Sequence, residues 1–163
     1  MAQRDEVEAW VDAYAREIHA YLWRMLGDPD DAEDCLQDTF LRALRAKGGR
    51  PIRAPRAWLY AVATNTARTQ LRRRRRRGDQ AIDEMEDIAA DDAPESVRDQ
   101  VQAVRRAVER LPGKQQAALV MRRYQGLGYA DIGIALETTP EAARANVYQA
   151  LRKLRALFPE EAR

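Results

Sequence analysis

Six consecutive arginines, Arg72 to Arg77, form the densest run of one chemistry in this 163-residue sequence. Guanidinium groups so close together neutralise phosphates. Six such contacts would make log K fall against log salt with a slope of about −5. The plainer alternatives are a solubilising run, or a nucleic-acid patch that reads no sequence. A second set of residues, Glu141, Arg144, Ala145, Tyr148, Arg152 and Arg155, recurs at helical spacing near the C-terminus. Arginine donates two hydrogen bonds to guanine, and a helix presenting it near its N-terminus can read base edges in the major groove. A third set joins π faces to hydrogen-bonding groups: Trp58, Tyr60, Asn65, Arg68, Arg72 and Arg73. Aromatic faces stack on unpaired bases, and Asn pairs twice with an adenine edge. Trp58 would fit a core equally well. Just before this set, the segment KGGRPIRAP, residues 47–55, brings Lys47, Arg50 and Arg53 on a Gly- and Pro-rich loop.

Other chemistries have little to stand on. The chain has one cysteine, Cys35, and one histidine, His19. These cannot make a zinc site unaided, and no Gly-rich phosphate loop or nucleophile motif is present. We therefore expect no enzyme, no metal and no cofactor. Cys35 falls on an apolar helical stripe and reads as a small core residue. The lone cysteine suits a reducing, cytoplasmic compartment. No apolar run reaches the length of a membrane span, and Arg4, Asp5, Glu6 and Glu8 do not open a signal peptide.

The formal net charge of +2 conceals three blocks. Residues 1–77 carry 16 Lys and Arg against 11 Asp and Glu; residues 78–97 carry eight acids and no base; residues 98–163 carry 12 bases and seven acids. Two basic blocks around an acidic connector suggest two contacts with a polyanion, although solvated helix faces would also produce such a pattern.

The elements that must position these residues are helical throughout. Val7, Trp10, Val11, Tyr14, Ile18, Leu22 and Met25 mark one face of a first helix that Gly27 stops. Asp28 and Pro29 suit the start of a second, whose apolar face is Ala32, Cys35, Leu36, Thr39, Phe40, Ala43 and Leu44. A third is predicted from Arg56 to about Arg75, with Leu59, Val62, Ala63 and Leu71 facing inward. Residues 78–96 read as an acidic flexible linker kept extended by repulsion. A fourth stripe is Val97, Val101, Val104, Val108 and Leu111, broken at Pro112 and Gly113. A short helix then covers Gln115 to Tyr124. Two more, about 129–137 and 140–158, flank Thr138 and Thr139 with the spacing of a helix-turn-helix. In the last, Thr139 caps, Pro140 takes the first position, and Ala143, Val147, Leu151, Leu154 and Phe158 are expected inside. A generic helical hairpin would share this pattern.

Residues 111–158, LPGKQQAALVMRRYQGLGYADIGIALETTPEAARANVYQALRKLRALF, resemble sigma region 4. The stretches DAEDCLQDTFLRALRA, residues 31–46, and PRAWLYAVATNTARTQLRRRRR, residues 55–76, resemble sigma region 2. Their order, the short length and the lack of an intermediate domain are similar to the extracytoplasmic-function (ECF) group of bacterial RNA polymerase sigma factors. Two departures stand out: Glu137 occupies a turn position usually held by Gly, and Gly133 one usually held by a small helix former.

The resemblance implies an all-α chain of two small helical domains. Residues 1–77 would bind core RNA polymerase and recognise the −10 element, residues 78–96 would be the acidic linker, and residues 97–163 would read the −35 element. Asp34, Gln37, Asp38, Leu41 and Arg42 would dock on the polymerase; Leu41 lies off the apolar stripe, which suits an interface, although a solvated face with one stray Leu is common. Lys47, Arg50, Arg53, Trp58, Tyr60, Asn65, Arg68, Arg72 and Arg73 would handle the −10 element. Thr139, Glu141, Arg144, Ala145, Tyr148, Arg152 and Arg155 would handle the −35 element. The linker would thread the polymerase toward the RNA-exit path, and an anti-sigma factor is an expected partner. The rival reading is a helix-turn-helix repressor or activator whose N-terminal helices dimerise; another is a sensor or adaptor without a DNA role. A repressor has no need of a face like Asp34–Gln37–Leu41.

Overall fold

The computed structural model describes residues 2–46, 51–78 and 95–159, and among them it contains helices and no strand. The first helix, α1, spans Ala2–Leu26 and buries Val7, Ile18, Tyr21, Leu22, Met25 and Leu26. It stops at Gly27, whose φ of 69° is easy only for glycine. Asp28 then caps α2, Pro29–Arg45: its carboxylate accepts from the backbone N–H of Asp30 and Asp31. Helix α2 buries Ala32, Cys35, Thr39 and Ala43. The Thr39 hydroxyl is hidden at no cost in lost hydrogen bonding, because it donates to the Cys35 carbonyl at 2.7 Å. Burial pushes the Cys35 thiol up, so it stays a packing group.

Helix α3 runs Pro55–Arg77, slightly beyond the predicted limits at both ends. The three helices pack on one another around Tyr21, Leu22, Leu59, Tyr60 and Ala63, all fully buried. The Tyr21 and Thr64 hydroxyls share a 2.7 Å hydrogen bond inside this bundle. The far end of α3 is tied down by Arg74, which pairs with Asp31 and donates to the Leu26 carbonyl at 2.6 Å. The arginine run is therefore not uniform, since Arg74 is committed to holding α3 against α1 and α2.

The second group comprises α4, Glu95–Glu109; α5, Gly113–Arg123; α6, Tyr129–Ala135; and α7, Pro140–Leu157. Helix α4 opens inside the segment assigned to the linker, with Glu95 in its first turn, where the positive end of the helix dipole favours an acid. The rest of that predicted linker, residues 79–94, lies outside the described residues. Helix α5 is buried over six consecutive residues, Gln116 to Met121, which makes it the centre of this group. Helix α7 packs on α5 and α6 and touches α4.

The two groups also pack on each other, α6 along α3 and α5 on α1, so that their buried residues form one continuous cluster. Small domains bury too little surface to be robust alone, and pairing two half-sized cores relieves that shortage.

Candidate functional site

Helices α6 and α7 form the predicted helix-turn-helix. Thr139 has the extended backbone of a cap residue (φ −88°, ψ 159°), and its hydroxyl accepts from the Ala142 N–H at 3.1 Å. Pro140 follows at the first helical position. The turn is held by the Thr138 N–H, which donates to the Gly133 carbonyl at 2.8 Å. Glu137 sits in this turn with φ 55°, the only non-glycine residue with positive φ among those described. The turn thus keeps the left-handed geometry that a glycine would adopt freely, at a cost of about 1 kcal/mol. A Cβ added at Gly133 would stand 3.0 Å from the Thr138 carbonyl oxygen and 3.0 Å from the Thr139 carbonyl carbon. The two departures noted in the sequence therefore sit in one local arrangement: α6 crosses the start of α7 so closely that a side chain at 133 would press on the backbone of the turn.

Past the cap, Glu141, Arg144, Ala145, Tyr148, Arg152 and Arg155 are all exposed, while Ala143, Val147 and Ala150 are buried beneath them. Leu151, Leu154 and Phe158, expected inside, are half-buried. One helix face thus presents basic groups and Tyr148 outward, behind a first turn capped by Thr139.

Helix α3 distributes its predicted residues over several faces. Asn65, Arg72 and Arg73 are exposed, as is Arg53 in the preceding loop, and Arg68 is half-exposed. Lys47 and Arg50 lie outside the described residues. Trp58 is half-buried and packs against Trp10, with ring centroids 6.4 Å apart. Tyr60 departs from expectation. It is fully buried, one turn beyond Arg56 on the inward side of α3, and its hydroxyl donates to Glu17 Oε2 at 2.9 Å. No base can stack on it in this arrangement; it belongs to the core, and burial raises the pKa of its phenol.

On α2, Asp34, Gln37, Leu41 and Arg42 share an exposed side, and Asp38 is half-exposed. Leu41 is 48% exposed, so about half of this leucine's surface is open to a partner. Asp38 and Arg42 form a 3.0 Å ion pair across one helical turn. Such surface pairs contribute only a few tenths of a kcal/mol, which leaves their orientation open to a partner's demands.

A polar junction between the two helical groups was not visible in the sequence. Arg56 grips the Glu17 carboxylate through Nε and Nη2, and Nη2 also donates to the Gln125 carbonyl at 3.2 Å. The Gln125 side chain donates to the Glu17 carbonyl at 2.8 Å and to the Tyr60 hydroxyl at 2.9 Å. Beside it the Arg24 guanidinium lies 4.0 Å above the Tyr124 ring. The Glu17 hydrogen bond and charge hold the Arg56 pKa above its ordinary value. These residues are far apart in sequence, and no local pattern links them.

Among the described residues, no group of His, Cys, Asp and Glu could hold a metal ion, and no helix is long and apolar enough to cross a membrane.

Comparison with known proteins gives these surfaces a context. Residues 10–77 match the Sigma-70 region 2 family, and residues 101–154 match Sigma-70, region 4. The RNA polymerase sigma-H factor of Pseudomonas aeruginosa is 30% identical over 160 residues, covering 90% of this chain and 83% of that protein. The RNA polymerase sigma factor CarQ of Myxococcus xanthus is 32% identical, covering 94% of this chain and 91% of that one. The ECF RNA polymerase sigma factor BldN of Streptomyces coelicolor is 32% identical; the match takes in 99% of this chain but 65% of BldN. Among solved structures, the fold is similar to that of the sigma factor RpoE of Bartonella quintana, crystallised with the anti-sigma factor NepR, with a TM-score of 0.69, 21% identity, and coverage of 95% of this chain and 98% of that one. It is also similar to CnrH in complex with the cytosolic domain of CnrY, with a TM-score of 0.70, 19% identity, and coverage of 96% and 89%.

Proposed function

The chain belongs to the Sigma-70 family, in its ECF group, and is thus an alternative sigma factor that binds core RNA polymerase and directs promoter-specific initiation; we propose that it does so through three surfaces of its own. The N-terminal match sets aside a helix-turn-helix repressor acting without polymerase.

The observation that carries this reading is the outward basic face of α7 behind a capped N-terminus. Arg144 stands one turn into the helix, where side chains reach base edges, and Arg152 and Arg155 stand where phosphates run. Thr139, Glu141, Ala145 and Tyr148 complete a −35 surface. For the −10 element we assign Asn65, Arg68, Arg72 and Arg73 on α3, with Arg53 and the loop residues Lys47 and Arg50. Trp58 joins them only through its exposed edge. Asp34, Gln37, Asp38, Leu41 and Arg42 form the polymerase-docking face, where an exposed leucine among polar groups has the make-up of an interface core.

On this reading residues 1–77 act as region 2, 78–96 as connector and 97–163 as region 4. The protein works in the cytoplasm, catalyses no reaction itself, and is held in check by an anti-sigma factor, as the sigma factor RpoE of Bartonella quintana is found with one.

The test is transcription from genomic templates by purified core polymerase with and without this protein. Promoter-specific transcripts should depend on its addition. Core alone and core plus protein giving the same transcripts would sink the assignment. Asn65→Ala should then reduce permanganate reactivity of the melted region more than it reduces recruitment of the polymerase.

A further inference from the structure

A groove of about 430 Å³ runs between the two helical groups, away from the Arg56 junction. Its floor is apolar: Met25 and Leu26 from α1, Leu71 from α3, and Leu111 from the turn before α5. Its rim is basic, with Arg68, Arg72 and Arg75 on one side and Arg110 on the other. Glu109 also lines it. Arg74 belongs to the wall, but its guanidinium is taken by Asp31 and Leu26. The site is composite. Arg68 lies against Gly113, where an added Cβ would be 3.7 Å from its Nε, so neither helical group forms the groove alone.

We propose that this groove is the docking site for the chain's own residues 79–94, and that they compete there with nucleic-acid phosphates. Three observations carry the assignment. The segment is tethered beside the site at one end and within its reach at the other: it leaves from Gly78, directly after the arginine run, and rejoins the chain at Glu95, the start of α4, whose far end brings Glu109 and Arg110 to the groove. Sixteen residues reach roughly 55 Å when extended, ample to cross a groove of this size. The charges are complementary. The segment has seven acids and no base, against four rim arginines. The composition matches the floor as well, because Ile82, Met85 and Ile88 recur at every third position among those acids. A phosphodiester backbone would satisfy the rim but leave the apolar floor wet, whereas an acidic segment with interleaved Ile and Met satisfies both.

The tether sets the size of the effect. A short linker gives an effective concentration on the order of 1 mM. A groove with a dissociation constant on the order of 100 µM for the free segment would then be about nine-tenths filled. Arg68 and Arg72, which also belong to the proposed −10 surface, would be screened, and binding of a polyanion there would weaken about tenfold. The docking itself does not rest on the promoter reading, since it needs only the groove and the acidic segment.

The experiment uses the full chain, which at 18.6 kDa is accessible to solution NMR. A nitroxide is attached at Ala89→Cys; Cys35 is buried and labels more slowly. The expected result is broadening of the Leu71, Leu111 and Gly113 amides well beyond that of Leu41 and Arg152, which lie outside the groove. The broadening should vanish when Asp83, Glu84, Glu86 and Asp87 are changed to their amides, a set that leaves every groove residue intact. It should vanish also in Arg68→Gln/Arg110→Gln. The same amide-substituted chain should bind a short random DNA duplex about tenfold more tightly than the parent. Even broadening over the whole chain, or broadening indifferent to both sets of substitutions, would overturn the docking site. Equal duplex affinity of parent and amide-substituted chain would overturn the competition and leave the groove to nucleic acid alone.

Discussion

The Arg56 guanidinium binds Glu17 of α1 and the backbone carbonyl of Gln125, 69 residues later in the sequence, so that one side chain joins the two halves of the molecule. Gln125 answers through its own side chain, which reaches the Glu17 carbonyl and the Tyr60 hydroxyl. Gln125→Ala should therefore remove two interdomain hydrogen bonds while keeping the carbonyl that Arg56 uses. We expect a loss of about 1–3 kcal/mol in urea titrations, together with a larger radius of gyration by small-angle scattering. An unchanged radius would mean that the junction does not hold the two halves together.

Tyr21 and Tyr60 make the fold sensitive to alkali. Burial raises both phenol pKa values in the folded state, whereas in the unfolded chain they titrate near about 10. A raised folded pKa contributes stability that is complete below the unfolded value and is lost as pH rises from about 10 through the folded value. Chemical denaturation should show this fall setting in above about pH 10 and steepening with further alkali. Tyr60→Phe should flatten it, although it also leaves Glu17 and Gln125 short of a partner.

The proposed docking face on α2 can be tested separately from the fold. Gln37 and Leu41 are exposed, so Gln37→Ala with Leu41→Ala should leave the melting temperature within about half a kcal/mol equivalent of the parent. Affinity for core polymerase in a pull-down titration should fall clearly. Parent-like affinity would remove this face from the interface.

Within α7, Arg144 and Arg152 should fail in different ways. Arg144→Ala should lose about 1–3 kcal/mol of discrimination and relax preference at one or two −35 positions. Arg152→Ala should weaken binding evenly across a promoter library and lower the salt slope by about one. If Arg144→Ala lowers affinity and leaves preference untouched, the helix does not enter the groove as described.

The turn before α7 offers a stabilising change and its opposite. Glu137→Gly relieves the positive φ and should raise stability by up to about 1 kcal/mol. Gly133→Ala should lower it, because the new Cβ meets backbone at 3.0 Å and backbone gives way less readily than a side chain. Thermal melts of both variants decide the point, and a more stable Gly133→Ala would contradict the close crossing.

The sequence by itself determined the helices, their caps and most of their inward faces, because these follow from local periodicity and from residues such as Asp28, Thr139 and Gly27, which act within a turn of their own position. It also determined the outward face of α7, since residues at spacings of three, four and seven must share a side once the buried side is known. Tertiary structure decided what depends on partners far along the chain. Tyr60 reads as a stacking residue until Glu17 and Gln125 enclose it. The run Arg72 to Arg77 reads as six equivalent charges until Asp31 takes Arg74. The Glu17–Arg56–Gln125 junction and the groove beneath Arg68 and Arg110 exist only where two helical groups meet, and hydrophobic periodicity within one helix carries no information about which polar residues of another will face it.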